Sequence, residues 1–285
     1  MHALLVPPGT PPAYDAERRG GRRTLGKLGD VDEELALALE FADMADAISM
    51  EYFRSHRLEV QTKPDLTPVT AADRAIEQLI REQVRRARPG QGVLGEEFGA
   101  DAGDGSPWRW VIDPIDGTKN YSRGNETWAT LIALQHECKT VVAVASLPAL
   151  QQRYHATRDS GAFFNDSRIR VSRIHEIGEA LITHTGLPGF VRTNQAERLA
   201  ALAGRCWDAR SVGNSLAHLF VARGSADIGW TSRANVWDFA ALSLIVEEAG
   251  GRFTDRSADH PVLGGSGVSS NGLLHERALE AMGLA

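Results

Sequence analysis

Trp110-Val111-Ile112-Asp113-Pro114-Ile115-Asp116-Gly117-Thr118 is the stretch on which the reading of the whole chain turns. Val111-Ile112 is an apolar pair of the kind found in a short buried strand. That strand is expected to end at Asp113, because the proline that follows has no N–H to give to a ladder. Asp116 comes three residues after Asp113, and Gly117 can take backbone conformations closed to other residues. Two carboxylates three residues apart on a tight turn can share one metal ion or bridge two. The N–H groups of Gly117 and Thr118 would then stand beside those ions, where an anionic phosphate oxygen is stabilised. Asp-Pro and Asp-Gly are also common turn dipeptides, so a plain surface turn stays open at this point.

On the N-terminal side, a helix is expected from Asp30, with Asp30 as its cap and Leu35, Leu39, Ala42, Ala45, Ile48 and Tyr52 at helical spacing. Pro64 and Pro68 bar a helix over the next segment. A second helix is expected from about Thr70, with Ile76, Leu79, Ile80 and Val84 on its apolar face. Asp73 falls in its first turn, where a carboxylate is favoured by the helix dipole. Val93-Leu94 reads as a strand ending at Gly95-Glu96-Glu97, followed by a glycine-rich, mobile loop to Trp108. Residues 1–30, rich in proline and then in arginine, read as a flexible tail.

On the C-terminal side, 129–134, 141–145, 154–156, 162–164 and 169–171 read as strands. Two helices followed by a run of strands make residues 31–175 an α+β half. From about residue 176 strands and helices alternate: strands at 180–183, 209–212 and 226–230, helices at 195–203, 215–222 and 236–249. Residues 176–285 are therefore an α/β half, packed with the first as one catalytic unit.

With 285 residues, 42% of them apolar, the chain can bury a large core. Its 37 acids against 31 bases argue against a nucleic-acid partner. Cys138 and Cys206 suit neither a disulfide framework nor a zinc site, and read as thiols of a reducing cytosol. No apolar run approaches the roughly 18 residues of a membrane span. These features together point to a cytoplasmic protein without membrane contact.

Glu96, Asp113, Asp116 and Asp238 are the acids that end strands or open helices. Asp238 lies in the first turn of the last long helix, with Asn235 as its cap. Taken singly, each reads better as a cap or turn residue. Four acids without histidine or cysteine among them favour a hard cation, magnesium rather than zinc. Two such ions roughly 3.5–4 Å apart can clamp the attacking and leaving oxygens of a phosphoryl displacement. A hydroxyl backed by a carboxylate, such as Thr118 with Asp73, can orient a water and draw off its proton.

Gly95-Glu96-Glu97, Asp113-Pro-Ile-Asp116-Gly-Thr118, and Trp237-Asp238 with Glu247-Glu248-Ala249-Gly250-Gly251 together resemble the inositol monophosphatase superfamily. The segment from Lys63 to Asp73 is similar to that family's N-terminal motif. The resemblance implies a layered αβαβα sandwich of the inositol monophosphatase/fructose-1,6-bisphosphatase type. It also implies magnesium-dependent hydrolysis of a small phosphate monoester, with two or three ions per site, by a homodimer. Carried over by position, Glu96, Asp113, Asp116 and Asp238 would be metal ligands, with the Ile115 carbonyl a further one. Gly117 and Thr118 would hold phosphate. Thr118 and Asp73 would activate the water, with Glu96 the other acid of the catalytic group.

Gly117-Thr118-Lys119-Asn120-Tyr121, Thr130 to Leu134 and Pro148 to Tyr154 resemble the histidinol-phosphate phosphatases of this superfamily. L-Histidinol phosphate is accordingly the expected substrate, in histidine biosynthesis. The alternatives are an inositol-1-phosphate or broad polyol phosphatase and, from another class, a catalytically silent binding protein on the same fold. Two positions depart from pattern. Thr231 stands seven residues before Asp238, where the family places a substrate-binding glutamate, and Asn214 stands where a histidinol phosphatase would carry aspartate. Arg210, Asn214 and Thr231 are the candidate substrate contacts, with a buried structural pair of Arg210 and Asn214 an equal reading.

Overall fold

The computed structural model describes residues 31–55, 60–62, 68–255 and 265–283. The expected tail, the Asp30 cap and residues 63–67 of the segment from Lys63 to Asp73 lie outside them. The helices are α1 Val31–Tyr52, α2 Ala71–Ala87, α3 Thr118–Tyr121, α4 Leu187–Arg192, α5 Ala196–Ala203, α6 Leu216–Ala222, α7 Val236–Glu248 and α8 His275–Ala281. The strands are β1 Val60–Thr62, β2 Pro68–Thr70, β3 Gly92–Gly95, β4 Gly99–Asp101, β5 Trp108–Asp116, β6 Ala129–His136, β7 Lys139–Leu147 and β8 Gln152–Thr157, then β9 Gly161–Phe164, β10 Ser167–Ile169, β11 Leu181–His184, β12 Asp208–Ser211, β13 Ile228–Ala234, β14 Arg252–Asp255 and β15 Gly265–Ser270.

Two large sheets carry the fold. One has eight strands in the order β10-β9-β8-β7-β6-β5-β3-β4, the other five in the order β12-β11-β13-β15-β14. On one face of the first, α1 and α2 bury Phe41, Ile76, Ile80 and Val84 against Trp110, Ile112, Ile132 and Val144. Its other face meets α6 and α7 through Val111, Leu131, Ala145, Leu219, Leu244 and Ile245. The far face of the five-stranded sheet is covered by α4, α5 and α8, where Phe190, Leu202 and Ala278 meet Ile182, Ile228, Trp230 and Val268. The layers thus run helix, sheet, helix, sheet, helix, which is the expected αβαβα sandwich. α7 is buried along most of its length because it is the filling between two sheets. Among the described residues no helix is long and apolar enough to cross a membrane.

Three local expectations need correction. β5 does not stop at Asp113. Asp113 pairs with Leu131 and Asp116 with Ala129, so Pro114 and Ile115 stand opposite the single residue Thr130. This is a β-bulge, which leaves the extra residue unpaired and so accommodates a proline. The Thr130 hydroxyl donates to the Pro114 carbonyl at 2.8 Å, satisfying the bulged backbone. Second, the stretch from Gly99 is not all loop, since β4 pairs antiparallel with β3. Third, the C-terminal half is not purely alternating: β15 runs antiparallel between β13 and β14.

Candidate active site

The bulge is what brings Asp113 and Asp116 together. Along a regular strand, residues three apart point to opposite faces. One inserted residue shifts the alternation, and both carboxylates emerge on the same side. Asp238 joins them from the first turn of α7. Each of the three offers an oxygen within 4.8 Å of the others. A reciprocal cap holds Asp238, whose carboxylate accepts the N–H of Asn235. Asp116 accepts the N–H of Ser215 at 2.7 Å, tying the bulge to the start of α6.

The electrostatics of this cluster are unfavourable without a cation. Burial, then the charges of Glu96, Asp238, Asp116 and Asp73, holds the Asp113 carboxyl well above the usual range. Burial raises Asp116 to about 6, against the opposing bond from Ser215. Burial and the charge of Asp116 raise Asp238 to about 8. Asp113 Oδ1 is buried and has no hydrogen-bond partner among the described residues. An unpartnered buried carboxylate oxygen is costly unless something positive meets it. The donor set is all oxygen, so the residues fit a hard divalent ion better than zinc.

Glu96 follows β3 and is anchored by its N–H to Ile112 O at 3.3 Å. Its charge is the largest of those acting on Asp113, although its carboxylate is not part of the tight three-way group. The turn that carries it is held by residues with no motif to announce them. Glu77 of α2, fully buried, accepts the N–H of Glu97 at 2.6 Å and of Phe98 at 3.1 Å, and pairs with Arg81 at 2.8 Å. A side chain at Gly95 would have its Cβ 2.0 Å from Glu77 Oε1, so the turn closes directly onto that carboxylate.

Gly117 has φ +96°, and a Cβ there would sit 2.0 Å from Asn214 Nδ2. Glycine is therefore required both by conformation and by space. It caps the one-turn α3, so the Gly117 and Thr118 N–H groups fall where a helix leaves donors without internal acceptors. The Thr118 hydroxyl lies 3.1 Å from the Ile115 carbonyl and 3.4 Å from Asp73 Oδ1. Asp73 is fully buried, and its other oxygen takes the Thr70 hydroxyl at 2.5 Å and N–H at 2.8 Å in a capping box. Burial outweighs these bonds and lifts Asp73 to about 7. The expected Asp73–Thr118 pair is thus assembled beside the three aspartates.

A cavity of about 150 Å³ opens next to Asp116 and Asp238, lined also by Asn214, His218, Thr231 and Arg233. Of the three candidate substrate contacts, Asn214 and Thr231 are there. Arg210 is not: its guanidinium is exposed on β12 and pairs with Asp208, and it forms no buried pair with Asn214. Beneath Thr231 lies a buried polar chain that no sequence motif announces. His218 Nε2 is 2.8 Å from Thr231 Oγ1, and its Nδ1 is 2.8 Å from Ser269 Oγ.

Known proteins share both sequence and fold with this chain. Residues 30–283 match the model of the inositol monophosphatase family. A histidinol-phosphatase of Mycobacterium tuberculosis is 44% identical over 87% of this chain and 96% of its own length. A histidinol-phosphatase of Streptomyces coelicolor is 42% identical, over 88% and 97%. Among solved structures, a Thermotoga maritima IMPase superposes with a TM-score of 0.79 at 28% identity, covering 88% of this chain and 97% of that one. Bulge, capped aspartates and five-layer sandwich therefore stand in a chain that belongs to the inositol monophosphatase family.

Proposed function

We propose that this chain is a magnesium-dependent phosphomonoesterase that hydrolyses L-histidinol phosphate to L-histidinol and phosphate. The observation that carries the chemistry is the convergence of Asp113, Asp116 and Asp238 around an unpartnered buried oxygen of Asp113. Glu96 and the Ile115 carbonyl would complete a ligand set for two or three ions. Magnesium bound there supplies Lewis-acid polarisation of the phosphate and a lowered pKa for an attacking water.

The protein's own part is positioning and proton handling. Gly117 and Thr118 would take phosphate oxygens on their backbone N–H groups, placing phosphorus over the aspartates. The Thr118 hydroxyl orients the incoming water, and Asp73, held near neutrality by burial, can accept its proton. The cavity beyond Asp116 and Asp238 receives the leaving alcohol, with Asn214 and Thr231 as its polar contacts. Arg210 has no part in this reading, because it lies outside that cavity.

The choice of histidinol phosphate is supported by the two relatives at 42–44% identity over nearly their full lengths. Thr231, in place of a glutamate that would accept hydroxyls, favours it over inositol phosphate. Phosphate release measured on histidinol phosphate, inositol 1-phosphate, fructose 1,6-bisphosphate and 3′-phosphoadenosine 5′-phosphate tests both levels. Histidinol phosphate should have the highest kcat/KM. A higher value for inositol 1-phosphate would replace the substrate, and release from none of them would overturn the activity. The same reading includes a homodimer, which light scattering of the purified chain checks.

A further inference from the structure

The geometry points to the Ser269–His218–Thr231 chain as a positioning device that fixes the Thr231 hydroxyl as a hydrogen-bond donor into the leaving-group cavity. There it selects substrates that present an acceptor, such as the bare nitrogen of a neutral imidazole. This inference rests on the phosphatase reading above and adds a group recognised by a residue outside the metal site.

His218 lies on α6 with no exposed surface, edge-on to Phe239 at 5.9 Å and tilted against Phe253 at 5.0 Å between ring centroids. Such surroundings disfavour a charged ring, and burial pushes His218 down to about 3. A neutral imidazole has one donor nitrogen and one acceptor nitrogen, so only two arrangements exist. In the first, Nδ1–H donates to Ser269 and Nε2 accepts the Thr231 O–H. The Ser269 hydroxyl proton is then left without an acceptor, because among the described residues Nδ1 is the only partner of that oxygen. Ser269 is completely buried, so water cannot make up the loss. An unsatisfied buried donor costs roughly 1–3 kcal/mol.

In the second arrangement Ser269 O–H donates to Nδ1, and Nε2–H donates to Thr231 Oγ1. Every polar atom in the chain is satisfied. Among the described residues the Thr231 proton has no acceptor, and it turns to the cavity, whose wall Thr231 forms. The relay therefore gives this wall the opposite polarity from a glutamate at the same position, which could only accept. Arg233 on the same wall adds positive charge, which favours a neutral imidazole over an imidazolium.

Two measurements test this. The first is the tautomer of His218, read from ¹⁵N shifts of the labelled protein at neutral pH, the signal being assigned by its absence in His218→Leu. Nε2–H is expected; Nδ1–H would overturn the inference whatever the substrate proves to be. Should His218→Leu not fold, His218→Gln serves for the assignment. The second compares steady-state kinetics of Thr231→Val, Thr231→Ser and Ser269→Ala on histidinol phosphate and on ethanolamine phosphate, which keeps phosphate and ammonium but lacks the imidazole. Loss of one neutral hydrogen bond should raise KM for histidinol phosphate roughly three- to tenfold in Thr231→Val, with most of the effect in KM rather than kcat. Thr231→Ser should restore it, and the loss on ethanolamine phosphate should be clearly smaller. Equal losses on both substrates, or no rescue by serine, would overturn the selective role. A wild-type enzyme inactive on histidinol phosphate would instead refute the substrate reading, leaving the tautomer to decide the relay.

Discussion

Chelated protein should lose stability as pH rises from about 6.5 to 8.5. On the alkaline side the buried acids of the site must ionise. Their folded pKa values lie above the ordinary 3.8: about 7 for Asp73, about 8 for Asp238, and well above it for Asp113. A carboxyl with a raised folded pKa contributes stability below its unfolded pKa and loses it as pH rises through the folded value. Between about pH 6.5 and 8.5, linkage gives a loss of about 1 kcal/mol from Asp73 and about 2 kcal/mol from Asp238. For a domain of this size a loss of about 3 kcal/mol lowers Tm by roughly 6–12 °C. His218, at about 3, and His275, at about 4, are held neutral by burial and act in the opposite sense, gaining stability as pH rises to their unfolded value near 6.5, so above that pH they offset only part of the carboxyls' loss. Magnesium removes the alkaline penalty by neutralising the carboxylates, so its stabilisation should be larger at pH 8.5 than at 6.5. Thermal melts of the chelated and magnesium-loaded protein across this range provide the assay, with Asp73→Asn as control for the smaller share. A chelated protein as stable at pH 8.5 as at 6.5, or a magnesium shift that does not grow with pH, would refute the account of the cluster.

Three further outcomes follow from the site geometry. Thr118→Ala and Asp73→Asn should each lower turnover roughly 10²–10⁴-fold with little change in magnesium dependence, and the double variant should be little worse than either; strictly multiplicative losses would break the pairing. Asp113→Asn should instead lose turnover and metal affinity together, by roughly a thousandfold or more in rate, which a magnesium titration of activity separates from the first two. Glu77→Ala leaves Arg81, 6% exposed, without its ion-pair partner, and should cost about 3–5 kcal/mol in a denaturant melt while weakening magnesium binding through the Glu96 turn. Unchanged magnesium affinity in a folded Glu77→Ala protein would remove Glu77 from the site.

The acids of the site were legible one by one because each obeys a local rule. Asp73 and Asp238 are capping-box residues, readable from Thr70 and Asn235 three positions earlier. Gly117 announces a special backbone angle, and its φ of +96° bears that out. The elements missed were those whose stability comes from elsewhere in the chain. β15 is Gly265-Ser266-Gly267-Val268-Ser269-Ser270, a composition that reads as loop. Small residues are needed there because Gly267 lies under the ring of Phe239, with a Cβ only 2.5 Å from Phe239 Cζ, and no window of sequence contains both. His218 is similar. On α6 it occupies an apolar face, where histidine has no local meaning until β13 and β15 bring Thr231 and Ser269 to its two nitrogens.

The bulge at Pro114 is the most instructive case, because the sequence rule was sound and the inference from it was not. Proline does withhold a ladder donor, and Pro114 does stand outside the ladder. What the rule cannot supply is the behaviour of the partner strand. β6 stays in register past the defect, one residue short, and its Thr130 hydroxyl takes over the freed carbonyl. A turn at Asp113 and a bulge before Asp116 place the same two carboxylates close together, so their expected proximity survives an incorrect local shape. The difference matters for rigidity. A turn would hang Asp116 on a loop, whereas the bulge returns it to a nine-residue interior strand of an eight-stranded sheet. Ser215 then ties it to the helix layer. Three like-charged groups that repel one another in the absence of a cation need such a frame, since a softer one would let them part and the ion site would be lost with them.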